Sequence, residues 1–86
     1  MPTQSVVVVN AVGLHATPLA RFVSTARAYP ETTIRVRCGA READGKGLIS
    51  MLGLEALQGT TIEITTEGSQ ADEALSALVA LVAGLQ

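Results

Sequence analysis

Tryptophan is missing from this chain, and phenylalanine and tyrosine occur once each, as Phe22 and Tyr29. A core with so few aromatics has to be assembled from Val, Leu, Ile and Ala, and a nucleic-acid surface without them lacks its stacking platform. Positive charge is not in surplus either. Six Lys and Arg stand against eight Asp and Glu, for a net charge of -2, the reverse of the basic face that a phosphate backbone requires. Both absences argue against nucleic acid as a partner. Cys38 is the one cysteine, so no intrachain disulfide and no cysteine-based metal site can form, which agrees with a reducing compartment. One histidine and scattered carboxylates give no ordinary metal-ligand spacing, and neither metal nor cofactor is expected. Long apolar runs are also lacking. The four valines at 6–9 stop at Asn10 with no basic region before them, so neither a signal peptide nor a membrane span is expected, and the cytosol is the expected location.

What is present is enough for one core. Eighty-six residues, 48% hydrophobic and 16% charged, make a single globular domain over residues 1–86. The residues at 5–9 (SVVVV) are β-branched and read as a strand buried on at least one face. Over 16–28, Leu19, Phe22, Val23 and Ala26 follow helical spacing with Arg21, Ser24 and Arg27 on other faces. Tyr29-Pro30 ends that helix, because the residue before proline avoids the helical region. Residues 32–38 (TTIRVRC) alternate as a half-exposed strand, and Gly39 turns it into a short partner at 40–43.

Asp44-Gly45 signals a turn, and 46–54 reads as a short helix. Its Leu48, Ile49, Met51 and Leu52 occupy more faces than one core contact uses, so some apolar surface faces solvent, as a binding patch or as ordinary scatter. Residues 60–66 (TTIEITT) alternate as a further strand. A last helix follows Gly68-Ser69, with Ser69 or a neighbour as its cap and Asp72-Glu73 in its first turn. Its buried stripe is Leu75, Leu78, Val79, Val82 and Leu85. The order β-α-β-β-α-β-α predicts a two-layer sandwich of helices on a sheet. Strand order stays open; a ferredoxin-like arrangement fits the same string apart from the last helix.

The chemistry concentrates at 12–22 (VGLHATPLARF), which holds His15, the chain's one histidine. Pro18 is tolerated only in the first turn of a helix, so the helix begins near Ala16 and His15 stands at its N-terminus. Unpaired N–H groups and the helix dipole make such an end welcoming to phosphate. A neutral imidazole with a pKa near about 6.5 is also a nucleophile able to accept a phosphoryl group and give it away again.

These residues resemble the HPr family, the histidine-containing phosphocarriers of the bacterial sugar phosphotransferase system. VGLHATPLARFV resembles the family's active-site segment, and KGLISMLGLEALQGT at 46–60 resembles its second-helix region. The resemblance implies an α+β, open-faced two-layer sandwich, with an antiparallel four-stranded sheet of order 1-4-2-3 covered by three helices. It implies that His15 is phosphorylated on Nδ1 by Enzyme I, charged from phosphoenolpyruvate, and passes the group to Enzyme II A components. It implies docking through an apolar patch of Leu48, Ile49 and Leu52, with Ala16, Ala20 and Gly47 beside it; Arg21, Arg27 and Lys46 read as a basic rim that steers acidic partners. A carrier of this kind is not a turnover enzyme, needs no cofactor, and is expected as a monomer that shows one face to successive partners.

Two positions depart from the family's pattern. The motif arginine two residues after the histidine is Thr17 here, whose hydroxyl brings one donor but no charge and no bidentate fork. Arg21, one helical turn further on, is the nearest cation to replace it. The alternative reading is an HPr-like regulatory or binding module whose phosphotransfer is impaired by Thr17. In Gram-positive relatives a serine at the start of the second helix is a kinase target; the matching residue here is Gly47, so no phosphoserine switch of that kind is expected.

Overall fold

Alternating β-branched residues build the sheet, and two apolar helical stripes cover it. The structure, a computed structural model, describes residues 2–8, 16–54 and 59–84, with residues 16–18 described by their backbone. The strands are β1 (Thr3–Val7), β2 (Thr32–Cys38), β3 (Arg41–Asp44) and β4 (Thr61–Gly68); the helices are α1 (Ala16–Arg27), α2 (Leu48–Leu52) and α3 (Ala71–Gly84). All pairings are antiparallel and the strand order is β1-β4-β2-β3. The fold is thus the α+β sandwich expected from the resemblance.

Period-two alternation sorts the sheet's faces. Ile34 and Val36 of β2 point into the core with Ile62 and Ile64 of β4, and Val36 sits opposite Ile64. The other face carries Arg35, Arg37, Glu42 and Glu63, joined as the pairs Arg35–Glu42 at 3.1 Å and Arg37–Glu63 at 2.9 Å. Both pairs are solvent-exposed and contribute at most about 1 kcal/mol each. Strand β1 starts earlier than the valine run suggested, at Thr3 rather than Ser5. Val8 is buried and Val6 half-buried while Val7 faces out; Val9 lies outside the described residues. Strand β3 is displaced by one residue from the expected 40–43, because Gly39 and Ala40 are both spent on the turn. Cys38 pairs with Arg41 across it, and Gly39 takes a φ of 62°, which only glycine adopts freely.

The helices bury the predicted stripes. Leu19, Phe22, Val23 and Ala26 of α1 meet Ala74, Leu75, Leu78 and Val82 of α3 in one core, with Val79 and Leu81 at its margin; Leu85 lies outside the described residues. Two buried polar residues, Thr32 and Thr66, are satisfied at the β4–α3 junction. The Thr66 hydroxyl donates to the Ala71 carbonyl at 2.7 Å, and that of Thr32 donates to the Ser69 carbonyl. Gln70, not Ser69, occupies the cap position, its carbonyl accepting the Ala74 N–H at 2.8 Å.

Helix α2 is the main departure, five residues instead of the nine read from the sequence. Glycines bracket it. Gly47 is extended, with φ -109° and ψ 114° and no side chain to cap the helix, and Gly53 closes it by donating to the Ser50 carbonyl at 3.2 Å. Lys46 therefore precedes the helix, held in a turn where its N–H donates to Asp44 Oδ1 at 2.9 Å.

Candidate functional site

Helix α1 begins at Ala16, the residue after His15. His15 itself lies outside the described residues, as do the side chains of Ala16 and Thr17. What α1 supplies at that place is a helix N-terminus with no acidic residue in its first turn, so its partial positive charge is not neutralised from within. Ala20 and Arg21 follow on the exposed side of the helix. Among the described residues nothing bonds to the Arg21 guanidinium.

The apolar patch is present where the second-helix region was expected to show one. Ile49 is 80% exposed, Leu52 46% and Leu48 39%, whereas Met51 and Leu54 beside them are buried. Met51 and Leu54 therefore anchor the segment and leave three aliphatic side chains on its outer side. The N-cap Gly47 adds no bulk to their edge.

The three expected rim cations do not form one group. Arg27 Nε donates to the Lys46 carbonyl at 2.9 Å, and Lys46 Nζ donates to the Tyr29 carbonyl at 2.7 Å. Arg27 and Lys46 are thus joined at the C-terminal end of α1, while Arg21 stands six residues earlier, about 9 Å along the helix axis. Sequence reasoning missed two further contacts of α2. Arg41 donates from Nη1 to the Gly53 carbonyl at 3.1 Å, and the Ser50 hydroxyl accepts the Asp44 N–H at 3.1 Å. Among the described residues no cluster of His, Cys, Asp or Glu could hold a metal ion, and no helix is long and apolar enough to cross a membrane.

Comparison with known proteins agrees with this arrangement. The family model described as PTS HPr component phosphorylation site matches residues 2–84. The phosphocarrier protein HPr of Pseudomonas aeruginosa is 41% identical over 85 residues, covering 95% of this chain and 91% of the relative. The crystal structure of HPr-C-His from Thermoanaerobacter tengcongensis superposes with a TM-score of 0.91 at 32% identity, covering 95% of this chain and 91% of that one. The HPr structure from Bacillus anthracis str. Ames gives a TM-score of 0.89 at 36% identity, covering 94% and 95%.

Proposed function

The chain belongs to the HPr family of phosphocarrier proteins of the phosphotransferase system, and from that premise we propose that it carries its phosphoryl group on His15. The imidazole attacks the phosphorus of phospho-Enzyme I, forming a nitrogen–phosphorus bond as the donor's bond to phosphorus breaks. The reverse exchange delivers the group to an Enzyme II A component and restores the free histidine. The chain ends as it began, as a carrier and not a turnover enzyme, and it works in the cytosol as a monomer. The observation that carries the reading is that α1 opens on the residue after His15 with no acidic side chain in its first turn, so phosphate there meets uncompensated N–H groups.

Docking falls to Leu48, Ile49 and Leu52, whose exposed aliphatic surface suits both donor and acceptor, with Ala16, Ala20 and Gly47 at its border. Arg21 is assigned to the phosphoryl group, with the Thr17 hydroxyl, in place of the motif arginine. Gly47 carries no hydroxyl, so a serine kinase has no target at that position.

The test is incubation with Enzyme I and labelled phosphoenolpyruvate. The carrier reading expects stoichiometric label that is lost in His15→Ala and discharged by an Enzyme II A component. A chain that binds Enzyme I but takes no label is instead the regulatory module that Thr17 suggests.

A further inference from the structure

A helix of five residues cannot hold itself together. Its cap, Gly47, bonds none of the free N–H groups with a side chain, and of its own residues only Met51 is buried. Yet α2 is the element that holds Leu48, Ile49 and Leu52 towards solvent, so its restraint has to come from elsewhere in the fold.

At the N-terminal side the restraint is a pair of crossed bonds between the same two segments. Arg27 Nε reaches from α1 to the Lys46 carbonyl at 2.9 Å, and Lys46 Nζ reaches back to the Tyr29 carbonyl at 2.7 Å. Moving the α2 approach away from α1 breaks both. The site suits a cation, because α1 ends there in tight bonds from Ala28 N–H to the Thr25 carbonyl and from Tyr29 N–H to that of Ala26, and its dipole is negative at that end. Lys46 is half-buried, which weakens screening of its ammonium by salt. At the other side of α2, Arg41 Nη1 holds the Gly53 carbonyl.

We infer that Arg27 and Lys46 are positioning residues, a clamp that fixes the angle at which α2 presents its apolar side chains to the protein partner, rather than free charges that steer it. This rests on the docking role given to α2 under the proposed function.

Steering and clamping respond differently to salt. Phosphotransfer from Enzyme I is measured against carrier concentration at about 0.05 M and about 0.5 M salt, where long-range attraction between exposed charges is largely screened at the higher value. In parallel, exchange of the Met51 amide, whose N–H is bonded to the Gly47 carbonyl at 2.9 Å, is followed in the chain alone. Lys46→Met is expected to raise KM about tenfold at both salt concentrations with kcat held, and to speed Met51 exchange about tenfold, the loss of one charge-assisted bond. Lys46→Arg, which keeps charge and donor, restores both. Arg27→Gln removes the other bond and replaces Lys46→Met if that variant disturbs the fold. A KM ratio that falls to unity at the higher salt, or Met51 exchange that stays at the wild-type rate, overturns the clamp. If the wild-type chain takes no label at all, the phosphocarrier reading fails, and the exchange measurement decides the clamp alone.

Discussion

Gly45 lies against Ile34 with no space for a side chain: its N–H donates to the Ile34 carbonyl at 2.8 Å, and an ideal Cβ would stand 2.5 Å from Ile34 Cγ2. Asp44-Gly45 reads in the sequence as a turn and the chain does turn there, the Gly47 N–H donating to the Asp44 carbonyl at 3.0 Å; the close approach of the glycine to β2 is the further demand that the reading missed. Ile34 is buried and cannot swing aside. Gly45→Ala is therefore expected to destabilise the fold by about 1–3 kcal/mol through overpacking. Urea unfolding checks it, with a lower midpoint at an unchanged slope.

The scarcity of aromatics puts unusual weight on Phe22, which is fully buried between α1 and the rest of the core. Phe22→Ala should cost about 3–5 kcal/mol. A domain of this size has only about 4–13 kcal/mol in total, from about 0.05–0.15 per residue. The variant is expected to be partly unfolded at 37 °C, seen as a large drop in the thermal midpoint, while Phe22→Leu keeps most of the stability.

Both long helices were legible in the sequence because their burial depends on a local period: Leu19, Phe22, Val23 and Ala26 repeat at helical spacing, and so do Leu75, Leu78 and Val82. The length of α2 was not, since the glycines at 47 and 53 end it against an apolar pattern that runs on to Leu54. Strand order was not legible from periodicity, because the pairing of β1 with β4 joins segments far apart in sequence. The same holds for the contacts around the candidate site. Leu48, Ile49 and Leu52 announce themselves as surplus apolar residues, whereas the roles of Lys46 and Arg41 depend on carbonyls 17 and 12 residues away. Every residue type has a carbonyl, so such a partner leaves no trace in the sequence.

Ile49 separates docking from stability. Its side chain is 80% exposed, so Ile49→Asp should leave the unfolding free energy within about 0.5 kcal/mol of wild type. A carboxylate at the centre of an apolar contact is costly to desolvate, and KM for phosphotransfer from Enzyme I is expected to rise at least tenfold. A normal KM in the well-folded variant would remove α2 from the docking surface.

Position 17 offers the sharpest test of how the phosphoryl group is held. It lies in the first turn of α1, two residues after His15, and Arg21 follows one turn later. Threonine can donate one neutral hydrogen bond, whereas arginine brings a full charge and a planar fork. A charge-assisted contact made in the transition state is worth about 1.5–3 kcal/mol, or about 10–100-fold in rate. Thr17→Arg is therefore expected to speed phosphorylation by phospho-Enzyme I by about that factor in rapid-quench measurements. Arg21→Ala alone should slow it, because it removes the cation assigned to the phosphate. If the two positions serve the same oxygen atoms, the effects will not add: Arg21→Ala will cost little once Thr17→Arg is present. Equal slowing in both backgrounds would show that Arg21 acts on the partner instead, and no slowing in either would release it from the site.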